Sequence, residues 1–280
     1  MIRESTIEVL NDTSLFDSRQ LLPRSVLGFA MKMWVQWAKD HLRPFPSLIR
    51  DFDFGVVVLR QSIRYERPFD FFRADGFTVR SRLTVRQKRH LLFGEVEFMN
   101  GDERFASLDC AMRPLAIDSE GDLGAISARV DGAVLAMFRA EEIVPAMVER
   151  PLRKALSSMA ATEARAIASA KYPIRIGRHD CEAADQWSYI EVGANASRAR
   201  EALILGAPAA LRQDLQAGLS QPIKAMEIEI DRPLFLFDEA EIHSSAYRTV
   251  DSLVFVHVYR SNVGGSYEQA TVLECFERPV

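Results

Sequence analysis

The chain has 280 residues, 48% of them hydrophobic, which gives enough apolar material for a large core without staples and room for two domains or one pseudo-symmetric pair. A formal net charge of −4, with acidic and basic residues interleaved, excludes general attraction to nucleic acid or an anionic membrane. Three cysteines, Cys110, Cys181 and Cys275, are an odd number without metal-ligand spacing, so no metal and no disulfide are expected and buried thiols in a reducing cytoplasm are the reading, and with no Gly-rich phosphate loop or CxxC pair no cofactor is expected. The N-terminus lacks the apolar run of a signal peptide, and no stretch of about 18 uninterrupted apolar residues occurs, so a cytoplasmic protein is expected.

In chain order, Thr6 to Leu10 reads as a strand closed by the turn-forming run Asn11-Asp12-Thr13-Ser14. A helix over about 20–42 follows from Leu22, Val26, Phe29, Ala30, Met33, Trp34 and Trp37 at three- and four-residue spacing, and Arg43-Pro44-Phe45-Pro46 ends it before a loop at 43–54. Strands are predicted at about 55–66, 75–86, 89–98 and 103–113, with Asn100-Gly101 as a hairpin signal. Two helices, about 129–148 and 151–171, should connect the halves and pack against the body through Val134, Leu135, Met137, Phe138, Ile143 and Met147. A strand at Trp187 to Val192, a helix over about 198–218, and strands at about 222–232, 240–250, 253–260 and 267–277 complete the reading.

Much of the chain is written twice. A shift of 165 places Ile63 on Ile228, Arg67 on Arg232, Pro68 on Pro233, Phe72 on Phe237, Thr84 on Thr249, Val85 on Val250, Glu103 on Glu268, Leu108 on Leu273 and Cys110 on Cys275. A duplicated unit is the reading. Ile7-Glu8-Val9 echoes Ile190-Glu191-Val192 at a shift of 183, which puts Asn195 at the Asp12 position and Arg200 at the Asp17 position, and 18 extra residues in copy one. The register should slip near Asn262-Val263-Gly264-Gly265, because strict alignment sets Leu92 opposite His257.

Strand, long apolar helix and four antiparallel strands, given twice, resembles the hotdog fold. The chain looks like a double hotdog, an α+β tandem in which each copy is a curved antiparallel sheet wrapped around a long helix, with the two sheets joined into one layer. The boundaries implied are 1–117 for the first hotdog, 118–184 for a helical connector and 185–280 for the second, and the assembly is a monomeric pseudo-dimer or a homodimer. The resemblance implies an enzyme acting on an acyl-CoA or acyl-carrier-protein thioester. Thioesterase-like hydrolysis in fatty-acid, polyketide or other secondary metabolism leads; acyl transfer with decarboxylation, or dehydration, is second; a non-catalytic acyl-binding protein is third. Ile7 to Thr13 is similar to the start of the 4-hydroxybenzoyl-CoA-thioesterase-like families, where a strand runs into an acidic loop, although Leu15-Phe16-Asp17 stands where those families have glycine.

Thioester hydrolysis needs a carboxylate to activate water or attack the carbonyl, with positive potential for the oxyanion. Asp12 and Asp17, ahead of the first helix, are the candidates, and their bland alternative is turn and N-cap duty. Glu201 is an independent acid whose alternative is a solvated helix residue. Phe16, Phe29 and Met33 would line the acyl seam, and Tyr65 is a lower-ranked acyl acceptor whose alternative is core. His90-Leu91-Leu92-Phe93-Gly94 superficially resembles a polyketide dehydratase motif but lacks its partners, and His243 and His257 default to structural hydrogen bonding. Only the copy holding Asp12 is expected to be competent.

Overall fold

The computed structural model describes residues 2–86, 91–118, 125–145, 150–161, 165–182, 184–261 and 267–277. The chain divides into two compact units, Met1–Glu149 and Arg150–Val280.

In the first unit, strand β1 (Glu4–Leu10) leads to helix α1 (Pro23–His41), a short helix α2 (Phe45–Phe52) and strands β2 (Phe54–Tyr65), β3 (Gly76–Arg86), β4 (Leu91–Asn100) and β5 (Glu103–Ile117). The strands lie in the order β1-β3-β4-β5-β2, every pairing antiparallel. Pro23 sets the first helical φ of α1, and Val26, Leu27, Phe29, Ala30, Met33, Trp34, Trp37 and Ala38 bury its core-facing side. The expected loop at 43–54 instead holds α2, which starts after Pro44 and stops where Asp53 takes a left-handed φ of 49°. At the Asn100-Gly101 hairpin only Gly101 has positive φ, so the turn needs one left-handed position rather than two.

The expected helix over 129–148 is broken up. Residues 125–145 form strand β6 (Ala125–Ser127), a one-turn helix α3 (Gly132–Leu135), a 3₁₀ turn and strand β7 (Ile143–Val144), which pairs in parallel with β3; residues 146–149 lie outside the described set. Val130, Val134 and Phe138 are buried, and Phe138 stacks on Trp37 at 5.7 Å. Glu142 is buried under Arg3, whose guanidinium also donates to the carbonyls of His41 and Met137. Ile143, expected to be covered, is exposed.

Behind a leading helix of its own, the second unit repeats the first unit's run of one strand, two helices and four strands. Helix α4 (Pro151–Ala161) precedes strand β8 (Ala168–Arg175), helix α5 (Tyr189–Gly206), helix α6 (Ala209–Leu219) and strands β9 (Ile223–Ile230), β10 (Glu239–Arg248), β11 (Ser252–Ser261) and β12 (Tyr267–Glu277). The strand order is β8-β10-β11-β12-β9, matching β1-β3-β4-β5-β2. Of the predicted helix over 151–171, residues 151–161 are helical, 162–164 lie outside the described set, and 168–171 belong to β8. Residues 168–175 half-bury alternate side chains and pair with β10, so tertiary pairing overrides the helix propensity of the alanines. Leu152, Leu156 and Met159 of α4 cover Val254, Val256 and Leu273 on the sheet face away from α5.

The predicted strand at Trp187 to Val192 is helix from Tyr189 onward. Ser188 caps it, accepting from the Ile190 N–H at 3.4 Å, and Tyr189, Val192, Ala196, Ala199 and Leu203 are buried at helical spacing. The 183 echo is thus a coincidence of residue types. Pairing registers supply the true equivalence: Ser5 faces Ser81 across β1 and β3, and Ala170 faces Ser244 across β8 and β10, so the first strand repeats at 170 − 5 = 165. The 18-residue excess assigned to copy one does not exist.

Farther along, the register slips as expected, and in more places. Ile63 pairs with Leu108, and Ile228 with Val272, so β5 repeats at 272 − 108 = 164. Val96 pairs with Leu108, and His257 with Val272, so β4 repeats at 257 − 96 = 161. Cys110 and Cys275 consequently sit on opposite faces: Cys110 is buried, whereas Cys275 packs on the α4 side. All three cysteines are unpaired. Residues 262–266 of the second hairpin lie outside the described set. Among the described residues, no helix is long and apolar enough to cross a membrane.

Candidate functional site

Each helix is preceded by a lead-in loop of the same construction. In the first unit Phe16 bridges Leu21, the Asp17 N–H donates to the Gln20 carbonyl at 3.0 Å, and the Leu22 N–H donates to that of Leu15 at 2.9 Å. In the second, Cys181 bridges Trp187, the Glu182 N–H donates to the Gln186 carbonyl at 2.7 Å, and the Ser188 N–H donates to that of Asp180 at 2.8 Å. Asp17 therefore corresponds to Glu182 and Asp12 to Gly177. Asn195 and Arg200, assigned these places from sequence, lie within α5.

The Asp12 carboxylate is exposed and accepts from the Ser14 N–H at 2.7 Å, a hydrogen bond that lowers its pKa. Asp17, also exposed, accepts from the N–H groups of Arg19 and Gln20 at 2.7 and 2.9 Å. Both do the work of turn caps. Glu201 is exposed and stands 3.7 Å from Arg200. In the second loop, desolvation raises the pKa of Glu182, opposed by the Ser188 hydroxyl.

Of the apolar residues named from sequence, Phe16 and Phe29 meet around Phe77, at centroid distances of 6.4 and 5.7 Å, and Met33 is fully buried on the same helix. They form core. The aromatic cluster continues to the Phe69–Phe105 stack, 4.0 Å apart, which floors an open cleft of about 240 Å³ rimmed by Arg67, Arg73, Asn100 and Glu103. The Tyr65 hydroxyl donates to the Leu21 carbonyl at 2.8 Å. Burial, with Asp17 adding, raises its pKa well above the usual tyrosine value, so it is a peg beneath the loop and not a phenolate. Burial likewise pushes the Cys110 thiol up to about 12. His90 lies outside the described residues. His243 bonds Glu241 within its own strand at 2.6 Å. Among the described residues no group of His, Cys, Asp and Glu is placed to hold a metal ion.

The interior of the second unit contains a constellation that the sequence reading left unassembled. Ser244 on β10, His257 on β11 and Glu274 on β12 meet beneath α5 with relative exposures of 1%, 0% and 0%. The Ser244 hydroxyl lies 2.7 Å from His257 Nδ1, and His257 Nε2 lies 3.2 Å from Glu274 Oε2. Glu274 Oε1 accepts from Arg200 at 2.7 Å and from the Ser197 hydroxyl at 3.0 Å. Burial alone would raise the Glu274 pKa, but the Arg200 charge, with the hydrogen bonds from His257 and Ser197 adding, outweighs it and brings it to about 2. A carboxylate only accepts, so His257 Nε2 donates to Glu274, and in the tautomer with its single proton on Nε2 the lone pair of Nδ1 faces the serine hydroxyl. The signal for this cluster was Leu92 standing opposite His257 in the ungapped alignment. The β11 slip sets Val96 there instead, and the contrast of an apolar residue with a histidine remains.

No family model and no curated protein matches the sequence. Solved structures do match. A Lactobacillus plantarum protein assigned as an oleoyl thioesterase superposes at a TM-score of 0.71 with 10% identity, covering 100% of this chain and 98% of that one. An acyl-ACP thioesterase from Bacteroides thetaiotaomicron gives 0.64 with 13% identity, covering 98% of each chain. The chain is a tandem hotdog. The 12:0-ACP thioesterase from Umbellularia californica, at 0.63 with 11% identity and coverage of 99% and 98%, has the same tandem-hotdog course from end to end. The likeness is one of fold.

Proposed function

We propose that the chain hydrolyses acyl thioesters carried by coenzyme A or by acyl-carrier protein, in fatty-acid, polyketide or related metabolism of a reducing cytoplasm. The observation that supports this is the tandem hotdog running the full length of the chain, in common with two acyl-ACP thioesterases. The three unpaired cysteines suit the compartment.

The test is incubation with a panel of acyl-CoAs and acyl-carrier proteins followed by mass spectrometry. Free acid and free thiol in equal amounts are expected. Loss of carbon dioxide or water from the acyl group would mean decarboxylation or dehydration instead, and unchanged bound ligand would mean a binding protein.

Water activation by Asp12 is one location for the chemistry, favoured by its accessible and ionised carboxylate. Gly177 at the equivalent place would make that site single.

A further inference from the structure

The two copies offer an internal comparison. Ser81 and Val96 are cross-strand partners in the first sheet as Ser244 and His257 are in the second, and Cys110 pairs with Gly94 where Glu274 pairs with Phe255. Ser81, Val96 and Cys110 are all buried. The first copy thus builds the same sheet under the same helix with a valine and a thiol, so the architecture does not require a histidine or a carboxylate at these points. Taking an imidazole, a carboxylate and most of a guanidinium out of water is costly even when they are paired, and apolar residues of similar volume often serve stability equally well or better. Among the described residues of the first copy, the Ser81 hydroxyl has a helix carbonyl, that of Met33 at 3.5 Å, and no base.

We propose that Ser244 is an acyl acceptor, its hydroxyl activated by His257 and His257 oriented by Glu274. The inference rests on the acyl-thioester reading above and names the group that performs it. His257 Nδ1 takes the serine proton as Oγ attacks the thioester carbonyl. The C–O bond forms, the C–S bond breaks, and the same proton leaves on the thiol. Water then gives a proton to Nδ1 and attacks the ester carbonyl, releasing the carboxylic acid and restoring the hydroxyl. Arg200, 13% exposed, ties the carboxylate to α5, and the Ser197 hydroxyl donates to the same oxygen. Because Ser244 itself is covered, the acyl group must enter between α5 and the sheet. Small residues border that route: Ala170 lies directly across from Ser244, and Ala196 and Ala199 face inward from α5.

The experiment treats the full-length protein with an alkyl fluorophosphonate, which halts at the phosphonyl-serine stage, and maps the label by peptide mass spectrometry. Turnover of acyl-CoA and acyl-carrier-protein substrates is measured in parallel for the wild type and Ser244→Ala. One label per chain on Ser244, with turnover lowered at least a hundredfold in Ser244→Ala, is expected. A wild type that turns over but takes no label on Ser244, or a Ser244→Ala variant with normal turnover, overturns the proposal and leaves the hydrolase reading standing. A wild type that hydrolyses no thioester defeats the hydrolase reading, and labelling of Ser244 then still reports whether the hydroxyl is activated. Should Ser244→Ala fail to fold, labelling of the wild type decides alone.

Discussion

Val96 and His257 occupy one position in two copies of the same sheet, each facing a buried serine across the adjacent strand. Duplication gave the two halves a common frame, and the difference between them lies in what that frame encloses. The first copy encloses an aromatic core that continues to a surface cleft, and the second a hydrogen-bonded chain of serine, histidine, glutamate and arginine.

Asp12→Asn should leave turnover within about threefold of wild type if the chemistry lies in the second copy. Asparagine caps a turn as well as aspartate does, so folding is unaffected and the variant reports on charge alone. A loss of about a hundredfold, the scale for removing a general base, would move the reaction to the first lead-in loop.

Glu142→Gln should destabilise the protein by about 3 kcal/mol in denaturant titrations, because it leaves Arg3 without its carboxylate in a buried site. Burial opposes ionisation of Glu142, but Arg3 and the Arg139 N–H overcome it and hold the pKa at about 2, against 4.5 for a free glutamate. The folded pKa is depressed, so this stabilisation is present above pH 4.5 and is lost as pH falls towards 2. Wild-type melting temperature should fall steeply through that window, and less steeply in Glu142→Gln.

The frame was legible in the sequence because strands and central helices are written in local patterns. Alternation in β2 to β5 and β9 to β12, and the stripe from Val26 to Trp37 in α1, place those elements without tertiary information. What local pattern could not give was the start of the second copy. Ala168 to Arg175 carries alanines and a lysine that suit a helix and becomes strand only by pairing with β10, while Ile190-Glu191-Val192 suits a strand and becomes helix because Ser188 caps it and small residues follow. The relay was hidden for a related reason. Its members come from three strands and a helix, and the register that assembles them slips by several residues in loops whose length sequence identity does not reveal.

Phe237 takes a φ of 73° while 75% exposed, in the loop where the repeat places Phe72 of the first copy. Left-handed backbone is costly for a residue with a Cβ, so Phe237→Gly should raise stability by up to about 1 kcal/mol in equilibrium unfolding. A loss of stability would mean that the ring itself is bound by something that offsets the strain.

Tyr65→Phe should cost about 1 kcal/mol by leaving the Leu21 carbonyl without its donor, and should leave the pH profile of turnover unchanged between pH 6 and about 10. A lost alkaline limb in that profile would restore Tyr65 as a reacting group.

On the proposal above, the charged interior of the second copy serves chemistry and not folding, and one set of substitutions separates the two roles. The most direct test gives that copy the first copy's residues: His257→Val and Glu274→Cys, with Arg200→Met so that no cation is left unpaired. The triple variant should melt at or above the wild-type temperature and lose at least a hundredfold of acyl-thioester turnover, whereas a folded triple variant with wild-type turnover would show that the buried charges serve no chemistry.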